Sequence, residues 1–189
     1  IHDRRQRQMC IRDRYKVFPI IASTLDKLQL KILDASLHTT IRDSLNKQVK
    51  ETAFDIFYVV NQDNKPFGEN IKIVSQIKNA LNEAFHDPEQ TVLYPSRRIP
   101  QDLKQFSTMT NVVISTDLSR LSTTLEVITP DRPGLLLCLG QIFMEFKLQL
   151  ISAKISTLGE RVEDVFHVVD ANYKPLSDPF ACSQLVQAI

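Results

Sequence analysis

The chain carries the same pattern twice, and this constrains its fold more than any single motif, because two copies of one pattern must build two copies of one unit. LQLKILDASLHTT, starting at Leu28, corresponds to FKLQLISAKISTL, starting at Phe146, with Leu30 matching Leu148, Ala35 matching Ala153 and Thr39 matching Thr157. FDIFYVVNQDNKP, starting at Phe54, corresponds to EDVFHVVDANYKP, starting at Glu163, with identities at Asp55/Asp164, Phe57/Phe166, Val59/Val168 and Val60/Val169. Lys65/Lys174 and Pro66/Pro175 complete the match. The offset falls from 118 to 109 between the two blocks, which gives the first copy nine extra residues in its hairpin loop.

Each copy reads as helix, strand, strand, helix. In the first, Ile20, Ile21, Leu25 and Leu28 recur at helical spacing over residues 17–28. Residues 30–40 follow as a strand, with Ile32, Asp34, Ser36 and His38 opposing Leu33, Ala35 and Leu37. Residues 41–51 are polar and read as a long hairpin loop, and 53–60 as the return strand, closed by a turn at 61–66. An amphipathic helix spans 71–85 and stops at Asp87 and Pro88; residues 94–110 connect the copies. In the second, strands at 111–116 and 123–129 flank a turn at 117–122, and a turn at 130–134 leads into a helix at 135–146. Strands at 148–158 and 162–171 are separated by Gly159, and a turn at 172–175 precedes a last helix at 178–189. A hairpin between helices implies an antiparallel sheet covered by helices on one face, the ferredoxin-like α+β plan. The expected division is a non-native or disordered segment at 1–16, a first module at 17–94 lacking its first strand, a linker at 95–110 and a second module at 111–189.

Charge and cysteine usage narrow the function. The chain of 189 residues is 43% hydrophobic and 24% charged, which excludes a disordered tail or a disulfide-dense miniature. No apolar run approaches the roughly 18 residues of a membrane span. Beyond Lys16 the chain holds 17 basic and 20 acidic side chains, so the body is mildly acidic and ill-suited to binding nucleic acid through its phosphates. Residues 1–14, IHDRRQRQMCIRDR, are basic, lack apolar periodicity and read as foreign to the fold. Cys10, Cys138 and Cys182 lack metal-ligand spacing; Cys138 and Cys182 read as small buried hydrophobes, which suits a reducing cytoplasm. His2, His38, His86 and His167 are isolated, and no paired acids follow a Gly-Ser turn, so no catalytic constellation is evident.

The chemistry concentrates at the turn Thr129-Pro130-Asp131-Arg132-Pro133-Gly134-Leu135-Leu136. Pro133 and Gly134 set the turn, and Gly134 allows a ligand close to the backbone. The unpaired N–H groups at the start of the following helix suit a carboxylate, Arg132 suits a carbonyl or carboxylate, and Asp131 suits an ammonium group. Asp131 reads equally as the N-cap of that helix. On this reading Gly134→Val would fill ligand space while the helix start tolerates it.

The same turn resembles the signature of ACT domains, which are small amino-acid-sensing modules. Together with AKISTLGERVEDVF from Ala153, Leu176-Ser177-Asp178-Pro179 and the connector Arg97-Arg98-Ile99-Pro100, it resembles the C-terminal tandem ACT region of the bifunctional uridylyltransferase/uridylyl-removing enzymes that modify the nitrogen-signalling protein PII. The resemblance covers residues 17–189, except that the first copy lacks its own turn motif. It implies a cytoplasmic regulatory region that senses glutamine, pairs ACT modules within or between chains, and meets PII through the full-length enzyme. It implies no cofactor here, with magnesium serving catalytic domains elsewhere in such an enzyme, and neither nucleic acid nor membrane as partner. The implied ligand residues are Asp131, Arg132, Gly134 and Leu135, completed by Ile151, Ser152 and Ala153 or by their first-copy counterparts Leu33, Asp34 and Ala35. A free-standing tandem ACT protein is the alternative.

Overall fold

The computed structural model describes residues 16–43, 49–67, 69–87, 110–117, 119 and 121–189, with the backbone alone at 39–43, 49–53 and 117. The first copy forms helix α1 (Val17–Lys27), strands β1 (Lys31–Asp43) and β2 (Val49–Val60), and helix α2 (Ile71–His86). A hairpin of β3 (Asn111–Asp117) and β4 (Ser122–Pro130) opens the second. Helix α3 (Leu135–Glu145), strands β5 (Gln149–Leu158) and β6 (Arg161–Val169), and helix α4 (Pro179–Ala188) complete it. Of the expected foreign segment 1–16 and linker 95–110, residues 1–15 and 95–109 lie outside the described residues, as do 88–94.

The strands make one antiparallel sheet in the order β2-β1-β5-β6-β4-β3. Its centre is the pairing of β1 with β5, the same strand of the two copies. Ser36 lies opposite Lys154, its own repeat counterpart, so the copies meet about an internal two-fold. The repeat extends to backbone detail. The register slips between Ile32 and Asp34 and, 118 residues on, between Leu150 and Ser152. Gln29 and Lys147 both turn at positive φ after α1 and α3, as do Asn64 and Tyr173 in the turns after β2 and β6.

Two expectations need correction. Residues 41–51 are not a long loop, because Thr40↔Thr52 through Asp43↔Val49 continue the β1·β2 ladder, leaving only 44–48 outside the described residues. Polarity suggested a loop, but the β-branched Thr39, Thr40, Ile41, Val49 and Thr52 favour extended backbone. The β1·β5 pairing ends at His38, so this part of the hairpin is a two-stranded ribbon with no third strand to require apolar residues. The bulge at Leu33 also breaks the alternation read for β1. Ile32 packs against the core, Leu33 is exposed, and Asp34 lies on the opposite face.

The core lies on one face of the sheet. Ala35, Leu37, Leu125, Ala153, Ile155 and Phe166 from the strands meet Phe18 from α1, Leu139 and Phe143 from α3, and Leu185 from α4. Phe143 and Phe166 stand edge-to-face at 5.1 Å, and Phe18 reaches across the seam to within 6.4 Å and 6.2 Å of them. Cys138 and Cys182 are half-buried free thiols rather than core residues, since they flank the apolar stripes of α3 and α4 instead of forming them. Among the described residues no helix is long and apolar enough to cross a membrane.

Candidate functional site

A cavity of about 260 Å³ opens on the helix side of the sheet, where the two copies meet. The second copy supplies Asp131, Arg132, Gly134 and Leu135 from the β4–α3 turn, with Ile155 and Thr157 from β5 as part of the floor. The first copy supplies Asp26 from α1, Leu30 just before β1, and Lys31 and Ile32 from its start. Thr157 Oγ1 donates to the Ile32 carbonyl at 3.3 Å and ties the two sides together. A second cavity of about 310 Å³, between the end of α1 and α2, is lined by Gln29, Asn61, Gln62 and Gln76, with Asp63 as its one carboxylate and no basic side chain among the described residues. Only the first offers charges of both signs.

The local sequence explains the turn. Gly134 is the residue before α3 and has φ 74°, the left-handed region that glycine enters without strain. No side chain caps α3, in contrast to Asn70 before α2 and Asp178 before α4, each of which accepts N–H bonds of its helix. Asp131 therefore does not cap α3. Its N–H donates to the Glu160 carbonyl at 2.8 Å, pinning the turn to the β5–β6 hairpin, and its carboxylate accepts from the Arg132 N–H. Gly134→Val is no test of ligand space, because the positive φ strains any β-branched side chain whatever the room beside it.

The four turn residues expected from sequence are thus brought together, and the three strand residues are not. Ala153 is buried in the core, while Ile151 sits at the bulge of β5 and is half-buried. Ser152 lies opposite His38 and His167, on the face away from the helices. Of the first-copy counterparts, Asp34 shares that far face and pairs with Lys154 at 2.6 Å, Ala35 is core and Leu33 is exposed. The bulge explains the displacement: the cavity faces residues further along β5, at Ile155 and Thr157. Asp26 and Lys31 were missed because neither belongs to a motif. Their trace in the sequence is a mismatch, since Met144 and Gln149 stand at the same places in the second copy.

Two carboxyl groups here have perturbed acidity. Burial raises the pKa of Asp131, opposed by the positive charge of Lys31 and the Arg132 N–H. Asp164, 1% exposed, lies between the cavity-lining Ile155 across the ladder and Val162 two residues before it. Burial pushes its pKa up to about 7; the Ser156 N–H, which donates to Oδ1 at 3.2 Å, lowers it, and the charge of Asp131 raises it. Asp164 Oδ2 has no hydrogen-bond partner among the described residues. A protonated carboxyl is the form that this site favours.

Among the described residues the architecture is an α+β repeat, a six-stranded antiparallel sheet with four helices, compatible with ferredoxin-like ACT modules. The chain is homologous to part of the bifunctional uridylyltransferase/uridylyl-removing enzymes. It is 42% identical over 177 residues to the enzyme so named from Pseudomonas savastanoi pv. phaseolicola, covering 94% of this chain and 19% of that protein. The enzymes of Pseudomonas syringae pv. tomato, at 41%, and Stutzerimonas stutzeri, at 40%, align over the same shares of both chains. The chain thus spans about one fifth of the length of these curated relatives. No family model and no solved structure matches it.

Proposed function

We propose that this chain is the glutamine-sensing regulatory region of a bifunctional enzyme that uridylylates PII and removes the uridylyl group, built as tandem ACT modules at 17–94 and 111–189. The observation that carries the reading is the cavity at the seam, where an uncapped helix N-terminus faces charged groups of both signs. A free amino acid needs donors for its α-carboxylate and an acceptor for its α-ammonium group. The first-turn N–H groups of α3 and the Arg132 guanidinium supply the donors, and Asp131 supplies the acceptor. Because the walls come from both copies, an occupant stabilises one arrangement of the copies relative to others, which is how binding could be transmitted to catalytic domains in a longer protein. Homology to the uridylyltransferase/uridylyl-removing enzymes supports reading this sensing as part of cytoplasmic PII control, with PII met through those domains.

The test is calorimetry with glutamine on the chain and on its Asp131→Ala variant. Loss of a charge-assisted bond to the ammonium group weakens binding by roughly 1.5–3 kcal/mol. Thermal stability falls by much less, since Asp131 caps no helix. Unchanged affinity in the variant would remove the turn from the site, and absence of binding by the parent chain would remove the reading.

A further inference from the structure

We infer that Asp26 and Lys31, which the first copy brings across the seam, are specificity-determining residues of this site and select an amino acid with an uncharged side chain. The inference rests on the amino-acid-sensing reading above and adds to it which residues discriminate.

Among the described residues the cavity carries four charged side chains, two acidic and two basic: Asp26 and Asp131, Lys31 and Arg132. This lining is balanced in formal charge, so a zwitterion enters without leaving a net charge behind. A ligand with an extra carboxylate or ammonium group would leave one uncompensated charge in a partly buried space, at a cost set by the low local dielectric. Asp26 is 8% exposed, so its charge is weakly screened by water. Lys31 Nζ donates to Asn64 Oδ1 at 3.1 Å, which holds the ammonium group in place. Its charge reaches Asp131, so the two copies are already coupled electrostatically through this cavity.

The repeat supplies a second argument. At the two-fold-related positions, 118 residues on, Asp26 is replaced by Met144 and Lys31 by Gln149, both half-buried. Helices α1 and α3 and strands β1 and β5 are otherwise alike, down to the bulge and the positive-φ turn. The fold therefore does not require charges at these positions. They are an addition on the side of the seam that holds Asp131 and Arg132.

The experiment measures relative affinities by calorimetry for glutamine, glutamate and arginine on the whole chain and on Asp26→Asn and Lys31→Met, which keep side-chain size. With Asp26→Asn the lining gains a net positive charge, and glutamate improves relative to glutamine by about tenfold. With Lys31→Met the lining turns negative, and arginine improves relative to glutamine by a similar factor. Lys31→Arg and Asp26→Glu, which keep the charges, leave both ratios near those of the parent. A purely structural role would weaken all three ligands together and leave the ratios alone. Ratios within twofold of the parent in both neutral variants, with glutamine still bound in an Asp131-dependent way, would overturn this inference while the sensing reading stands. No glutamine binding by the parent chain would overturn both. Should Asp26→Asn unfold the chain, Lys31→Met decides the matter alone, because Lys31 is only half-buried.

Discussion

Pro19 on α1 and Gly140 on α3 leave no room for a methyl group between them: a Cβ at residue 140 would lie 2.9 Å from Pro19 Cγ and 3.2 Å from Pro19 Cα. The two helices carry core residues from different copies, so this contact sets how closely the copies approach beside the cavity. Gly140→Ala is expected to destabilise the chain by about 1–3 kcal/mol, the usual range for overpacking, although alanine is the better helix former. Denaturant unfolding measures it. A gain in stability would mean that α1 moves aside freely.

Asp164 makes stability depend on pH. Its folded pKa, about 7, lies above the ordinary value of 3.8, so between those limits the folded chain holds a proton that the unfolded chain has released. Its contribution is fully present below pH 3.8 and is lost as pH rises towards 7, at about 1.4 kcal/mol for each pH unit. Asp164→Asn, neutral at every pH, should remove this component from the pH profile of the melting temperature. A parent profile flat from pH 5 to 8 would show that Asp164 ionises without cost.

The turns after β2 and β6 are built alike but not equally strongly. Asn61 Oδ1 accepts from the Lys65 N–H at 2.8 Å, whereas Asp170 Oδ1 accepts from both the Asn172 and Lys174 N–H groups at 2.8 Å. Bonds to an ionised acceptor are the stronger kind. Asp170→Ala should therefore cost more than Asn61→Ala, roughly 1–2 against 0.5–1 kcal/mol in denaturant titrations. Equal losses would place the strength of both turns in their backbone bonds.

The chain by itself should not modify PII. This follows from the proposed role as a regulatory region, whose catalytic domains would belong to a longer protein. Incubation with PII, UTP and magnesium should leave PII unlabelled, and uridylylated PII should keep its label. Turnover by the purified chain would refute the regulatory reading.

The repeat, the element order and the turn at 131–134 were all legible in the sequence, because periodicity, turn residues and capping are local. Each depends on residues a few positions apart: Asn70 and Asp178 cap their helices from the adjoining residue, and Asn61 and Asp170 organise turns within four residues. What surrounds that turn was not legible. The single-residue slips at Leu33 and Ile151 leave Ile32 against the core and Leu33 exposed, so strict alternation along β1 held from Asp34 onward but misplaced the two residues before it. The choice of Ile155 and Thr157 over Ser152 as cavity floor follows from that geometry. Asp26 and Lys31 enter the site only because β1 pairs with β5 about a two-fold, which carries one copy's helix end to the other copy's turn across more than a hundred residues. Local chemistry wrote the parts into the sequence. Packing of the two copies decided which charges face one another, because that depends on the register between strands far apart in the chain.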